Sequence, residues 1–400
     1  MINVAILGYG VVGSGVYKVI TENNDVVSKN IGDAIKVSRV LDLREFPGDP
    51  AEEVLTHDYD DILNDDSIDI VVEVMGGLEP ANTFVRKAIE AGKSVCTSNK
   101  ALVAAFGTEI LDLARSKGVN FLFEASVGGG IPVLRAINES LTADHFDKIY
   151  GILNGTTNYI LTKMSEEGLS FDTVLKDAQE KGYAERNPEA DIEGYDACRK
   201  IAILTSLVYG RFTNFEEIST EGITKITNND MIFAKAAGMS IKLFGLTEKN
   251  DKGFYSMVAP FLVGRDDPLF SVNGVYNAVN LHGDMLEDVM FYGQGAGSLP
   301  TASAVVSDVI ELAKNKGNVL PYGWTADKIT LSDINEYETA FYVRVNSGDA
   351  ASFKNSFENV KVIETPEISG EIAFITEKMS RNVLTARLRD IEPLQIIRVN

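Results

Sequence analysis

Along the first 130 residues, short apolar runs take turns with segments whose apolar positions recur every three or four residues. "INVAIL" has the length and apolar density of a buried strand, and behind it Val12, Val16 and Val19 fall on one helical face. "IKVSRVLD", "IDIVVEVMGG", "SVCTSN" and "NFLFEASVGGGIP" repeat the strand pattern, and "EPANTFVRKAIEAGK" repeats the helical one. This alternation predicts a doubly wound α/β unit on a parallel sheet. Past about residue 131 the elements lengthen, as in "FDKIYGILNGTTNYILTKM" and "SFDTVLKDAQEKGY". There Asn154–Tyr159 is too polar for a strand centre and reads as a helix entrance capped by Thr or Asn. Pro188 and Gly194 punctuate residues 184–194, which read as loop. A helix follows from about Asp196, with Ile201, Leu204 and Val208 inward and Asp196 and Lys200 together on one face. "YGQGAGSLPTASAVVSDVIELAKNKG" turns from a glycine loop into an amphipathic helix, and Trp324 with residues 325–334 reads as a linker. Residues 335–400 close the chain as strand, helix, strand pair, helix and strand.

A chain of 400 residues exceeds one ordinary core, so two or three domains are expected. Its 58 acidic against 37 basic side chains give a net charge of −21, which repels nucleic-acid backbones and anionic lipid. There is no basic leader and no apolar stretch long enough to span a membrane. Cys96 and Cys198 lie far apart without metal spacing, which suits a reducing cytoplasm. The three histidines are scattered, so no transition-metal site is expected.

The chemistry concentrates at four places. Gly8-Tyr9-Gly10-Val11-Val12-Gly13 is a GxGxxG with a strand before it and a helix after it, the context of a Rossmann dinucleotide site. The first glycine makes the turn, the second lets the backbone approach a pyrophosphate, and the third lets helix and strand pack closely. Asp42 at the end of the second strand suits the ribose of NAD, whereas Arg44 suits the 2′-phosphate of NADP, so both cofactors stay open. Thr97, Ser98 and Lys100 stand at another strand end, where ligands of this fold sit. The glycine turn after Glu124 offers hard oxygens to a group-1 cation such as sodium, although a turn needing positive φ is the reading the residues alone favour. Last comes "AERNPEADIEGYDACRK": Glu185, Asp191 and Asp196 ahead of Lys200 can hold an ammonium beside a proton donor, or form a solvated face with one helical ion pair.

"GILNGTTNYILTKM" followed by "KGYAERNPEADIEGYDACRKIAIL" resembles the signature of homoserine dehydrogenases. "TSNKAL", "EASVGGGIP" and "YGQGAGSLPTASAVVSD" follow in that family's order, so the likeness covers about residues 1–325. It implies reversible, NAD(P)-dependent interconversion of L-homoserine and L-aspartate 4-semialdehyde in threonine and methionine biosynthesis. Lys200 is then the proton donor or acceptor, with Asp196 and Lys100 as the other catalytic residues. Glu185, Asp191, Asp196 and Thr156 bind substrate, and Lys100 lies beside the nicotinamide. Gly8, Gly10, Val11, Val12, Gly13, Asp42, Arg44, Thr97, Ser98, Gly182 and Gly297 contact the cofactor, and Glu124, Val127, Gly129 and Ile131 form a monovalent-cation loop. The likeness groups residues 1–130 and 301–325 as the nucleotide domain and 131–300 as an α+β substrate and dimerisation domain. The βαββαβ order of 335–400 resembles an ACT domain, with "NSGDAAS" where Pro-Gly usually precedes the first helix. That implies a regulatory or assembly module, with threonine as candidate effector, in a homo-oligomer.

Two other readings compete. A related amino-acid or imine oxidoreductase lacks the acid-rich loop before a lysine helix. A non-catalytic sensor, a nucleotide domain joined to an amino-acid module, has no use for Lys200. No kinase domain is expected ahead of residue 1.

Overall fold

The computed structural model describes residues 1–400. They divide into two compact units, one of Met1–Asp144, Ala202–Asn214 and Gly293–Ile329, the other of His145–Ile201, Phe215–Tyr292 and Thr330–Asn400.

In the first unit, strand β1 (Ile2–Leu7) feeds helix α1 (Val11–Glu22). β2 (Ile35–Leu41), β3 (Leu55–Thr56), β4 (Ile70–Glu73), β5 (Ser94–Thr97) and β6 (Phe121–Leu122) follow, and helix α2 (Lys100–Lys117) links the last two. The six strands are parallel in the order β3-β2-β1-β4-β5-β6. Val4, Ile6, Val71, Val72 and Val95 are fully buried, as expected of strands covered on both faces. The strand order reverses between β1 and β4, so their C-terminal ends, at Leu7 and Glu73, open a crevice where this fold binds ligands. The helix Ser298–Lys314 packs against α1 within the same unit: a Cβ on Gly15 would lie 3.0 Å from that of Ala302.

The second unit is built on β7 (Phe146–Ile152), helix α3 (Gly155–Glu167) and helix α4 (Tyr195–Tyr209), whose residues from Ala202 onward count with the first unit. Helix α5 (Asn228–Ala236) precedes β8 (Ser240–Asn250), β9 (Gly253–Val263), β10 (Tyr276–Gly283) and β11 (Glu287–Gln294). The chain ends with β12 (Glu338–Asn346), β13 (Lys361–Ile363), β14 (Glu371–Ile375) and β15 (Gln395–Val399). Helices Ala350–Ser356 and Arg381–Arg387 complete the βαββαβ order.

Three sequence expectations change here. Residues 335–400 have their own core around Phe341, Phe353 and Phe374, but their sheet is not separate. β15 pairs in parallel with β9 on one side and antiparallel with β12 on the other, giving the continuous order β11-β10-β7-β8-β9-β15-β12-β14-β13. The pairing satisfies an edge of β9 that would otherwise stay open. The expected linker is also anchored. Trp324 is buried against Phe123 and its Nε1 donates to Thr108 Oγ1 at 2.8 Å, while Thr325–Lys328 pairs with Arg211–Phe212. Within 184–194 a short helical turn forms at Glu189–Ile192, because its amides find carbonyl acceptors at Pro188 and Glu189.

Candidate functional site: a glycine turn and an acid–lysine network

The glycine turn has the three environments its spacing implies. Gly8 takes φ +97°, a conformation side chains rarely tolerate. A Cβ on Gly13 would lie 1.9 Å from Gly8 O, so only glycine allows α1 to start this close to β1. A Cβ on Gly10 would meet nothing within 4 Å: the space above the turn is open. Gly10 is the N-cap of α1 with no side-chain cap, so the first amides, from Val11 to Gly13, point into that space with the positive end of the helix dipole. This turn fits a pyrophosphate. Ser298 Oγ donates to Val11 O at 2.6 Å, next to Gly297 at the start of its helix with φ +119°.

Asp42 and Arg44 are found in each other's hands. Asp42 Oδ2 accepts Tyr9 N at 2.7 Å and Arg44 Nη2 at 2.9 Å, and its Oδ1 accepts Arg44 Nε at 2.9 Å. The guanidinium, with the two amide bonds, holds the Asp42 carboxyl far below the usual range. Arg44 Nη2 also donates to Tyr9 O, at 3.1 Å, which places both candidate ribose-end residues against the glycine turn.

At the end of β4 sits Glu73, an acid the sequence reading passed over. It is fully buried, and its Oε2 accepts Thr97 Oγ1 at 2.6 Å while Oε1 accepts Met75 N at 2.8 Å. Burial raises its carboxyl pKa, and these donors offset part of that rise. Thr97 Oγ1 in turn accepts Asn99 N at 2.9 Å, and Asn99 caps α2 through Leu102 N, with Lys100 as the first helical residue and Ser98 just before the cap. Glu73 therefore sets the loop that carries Thr97, Ser98 and Lys100.

Around Glu124 the strand is shorter than expected, ending at Leu122 before a turn at Glu124–Ser126. Both Glu124 oxygens accept amides, from Leu134 at 2.9 Å and Arg135 at 2.7 Å. Burial and the nearby Asp308 push its carboxyl up to about 8. Gly128 and Gly129 have positive φ, so the turn demands glycine by itself. Ile131 O accepts Val133 N at 2.9 Å.

The acid block resolves into a network centred on a residue outside it. Lys200 and Asp196, on successive turns of α4, form a buried ion pair of 2.7 Å. Lys200 Nζ also donates to Leu153 O at 2.8 Å. Asn154 Nδ2 donates to Asp191 Oδ1 at 2.7 Å and to Asp196 Oδ2 at 2.9 Å, while its own Oδ1 caps α3 through Thr157 N. A solvated helix face would leave the lysine and its partner exposed, so that reading is ruled out by burial. The polar "NGTTN" run pointed to Asn154 as a cap but not to its other hand. Thr156 Oγ1 donates to Tyr183 O at 2.6 Å, tying α3 to the loop that carries Gly182 (φ +76°) and Glu185. Glu185 itself is exposed; only its carbonyl, bonded by Gln179 Nε2, joins the hydrogen-bond pattern.

Comparison with known proteins points one way. The family model described as homoserine dehydrogenase matches residues 132–310, and that described as homoserine dehydrogenase, NAD binding domain, matches residues 8–124. A homoserine dehydrogenase of Helicobacter pylori is 38% identical over 99% of this chain and 96% of its own length. That of Bacillus subtilis is 42% identical over 78% of this chain and 73% of its own. Among solved structures, a homoserine dehydrogenase from Thiobacillus denitrificans superposes with TM-score 0.91 at 35% identity, over 100% of this chain and 98% of that one. A hyperthermophilic archaeal homoserine dehydrogenase mutant in complex with NADPH gives TM-score 0.67 at 28% identity, over 78% of this chain and 97% of that one.

Proposed function

Since the chain belongs to the homoserine dehydrogenase family, NAD(P)-dependent oxidoreductases acting on L-homoserine and L-aspartate 4-semialdehyde, we propose that Lys200 is its proton donor and acceptor. The observation that carries this is the Lys200–Asp196–Asn154 network, buried throughout, with the half-buried Asp191 at its rim. An ammonium has three N–H donors. Two go to Leu153 O and Asp196 Oδ2, which leaves one to aim at a substrate oxygen. A nicotinamide cofactor held at the glycine turn would supply the hydride for the reducing direction. Lys200 gives its proton to the alkoxide oxygen that forms, and takes it back from the hydroxyl in the oxidising direction. Asp191 and Asp196, with Glu185 and Thr156 from the adjoining loop and helix, hold the amino-acid ammonium. Gly8 to Gly13, Asp42, Arg44, Thr97, Ser98, Lys100, Gly182 and Gly297 serve the cofactor.

The test follows absorbance at 340 nm with L-aspartate 4-semialdehyde and NADH or NADPH. Lys200→Ala should lose about 10²- to 10⁴-fold in turnover with cofactor titration unchanged. A variant keeping more than half of wild-type turnover refutes the assignment.

Further parts of the reading rest on narrower support. A monovalent cation at Glu124, Val127, Gly129 and Ile131 is favoured by the burial of all four residues about one glycine turn. An ACT-like role for residues 335–400, with threonine as effector, is favoured by their βαββαβ order and separate core. A threonine inhibition curve tests it. Homo-oligomerisation is favoured by rim strand β11, which exposes Met290 and Tyr292. The composition favours a cytoplasmic setting, and no helix is long and apolar enough to cross a membrane.

A further inference from the structure

The turn that carries the substrate acids is braced from behind. Ile223 N donates to Ile192 O at 2.8 Å, and Gly222 lies so close that a Cβ there would fall 2.3 Å from Ile192 O and 2.5 Å from Glu193 Cα. Nothing larger than glycine lets residues 220–226 press on Ile192–Glu193 in this way. The same segment is fastened, on its other side, to the last strand of the chain. Arg398 Nη1 donates to Glu221 Oε1 at 2.7 Å, and Gln395 Nε2 donates to Lys225 O at 2.8 Å. Arg398 is only 5% exposed, and its backbone is set in register between Phe261 of β9 and Phe341 of β12. Between the brace and the strand remains a cavity of about 200 Å³ lined by Glu193, Lys225 and Gln395 among others.

We propose that Arg398 and Glu221 are positioning residues for the substrate site: the terminal strand, through residues 220–226, sets where Asp191 meets Asn154. This rests on the reading that Asp191 and Asp196 hold the substrate ammonium. The chain of contact is short. Glu221 precedes Gly222 and Ile223, Ile223 bonds to Ile192, and Ile192 follows Asp191. Asn154 bridges Asp191 to Asp196, which pairs with Lys200. A shift of the brace therefore moves the ammonium site first and the proton donor only at second hand. The cofactor residues on the glycine turn are not part of this chain. The tail is thereby a component of the substrate site's geometry, besides any role as a module of its own.

The lesion can be made local. Arg398→Ala leaves the backbone pairing of β15 with β9 and β12 in place, and Glu221, 44% exposed at its side chain, can turn to water. Glu221 N stays bonded to Val258 O at 2.7 Å, so the brace remains attached to β9 and loses only its outer strut. Misplacement by a few tenths of an ångström predicts a rise of about three- to tenfold in the homoserine KM. The cofactor KM should stay unchanged and kcat should fall less than KM rises. Arg398→Lys should recover most of the loss, and Arg398→Ala combined with Glu221→Ala should be no worse than Arg398→Ala alone. Asp191→Ala is run beside them, with circular dichroism and thermal melting on every variant. An unchanged homoserine KM in Arg398→Ala, while Asp191→Ala raises it, overturns the positioning role and spares the substrate-site reading. If Asp191→Ala leaves that KM unchanged, the premise and the inference fall together. Equal changes in both KM values, in step with a lower melting temperature and without rescue by lysine, reduce Arg398 to a structural residue and also overturn the proposal.

Discussion

Replacing Gly10 and Gly13 separates cofactor binding from folding, because the two glycines face different surroundings three residues apart. Gly10 has φ −84° and ψ −156°, extended backbone that valine also adopts, and open space where its side chain would go. Gly10→Val should therefore leave the fold intact and fill the volume a pyrophosphate needs. A Cβ at Gly13 would stand 1.9 Å from Gly8 O, and contacts below 3.0 Å are essentially never seen, so α1 must retreat by at least 3.0 − 1.9 = 1.1 Å. Overpacking of this kind costs about 1–3 kcal/mol, or about 2–10 °C in melting temperature. A retreat of that size also withdraws the helix amides from the phosphates. Isothermal titration of NADPH and thermal melting read the two effects. Gly10→Val should weaken NADPH binding by at least about tenfold, roughly one lost good contact of 1.4 kcal/mol, with melting unchanged. Gly13→Ala should lose both affinity and stability. Unaltered NADPH affinity in Gly10→Val, or unaltered melting in Gly13→Ala, would refute the reasoning about the turn.

Two further perturbations test the second unit. Burial pushes the Lys242 ammonium from 10.5 down to about 8, where it is held by Val272 O at 2.6 Å and Asn273 Oδ1 at 2.7 Å. Between pH 8 and 10.5 the unfolded chain then binds more protons than the folded one, so stability gained from this group rises with pH across that window, by about 3 kcal/mol at most. Comparing urea midpoints of wild type and Lys242→Met from pH 7.5 to 10 checks it, and parallel profiles would sink the idea. Arg344, 5% exposed, bonds Asp230 Oδ1 at 2.8 Å across from the tail to α5, so Arg344→Met should cost about 3 kcal/mol by leaving a buried carboxylate without its counter-charge, held only by the neutral donors of Thr227 and Tyr342. Adding Asp230→Asn should recover part of it; a single variant that melts like wild type contradicts the pairing.

Contiguous sequence determined the parts whose partners are close along the chain. Strand, glycine turn and helix at residues 2–22 lie in one run, and their geometry follows from which residues tolerate positive φ and close approach. Asp196 and Lys200 sit four apart on a helix, so helical periodicity alone put them on one face, and the βαββαβ order of the tail was legible from alternating patterns for the same reason. Tertiary closure decided the rest. Whether the Asp196–Lys200 pair lay at the surface or inside was settled by the fold, which brings Leu153 and Asn154, more than 40 residues away, into hydrogen bonds with it. Glu73 gained its role only when β5 brought Thr97 beside it, Trp324 became core only because Phe123 and Thr108 faced it, and Glu124 turned to the amides of Leu134 and Arg135. The tail's sheet joined β9 because an open strand edge accepts whichever strand reaches it. Local propensity carries no record of such meetings: a carboxylate or an edge can be satisfied by many partners, and only the folded path of the backbone selects one.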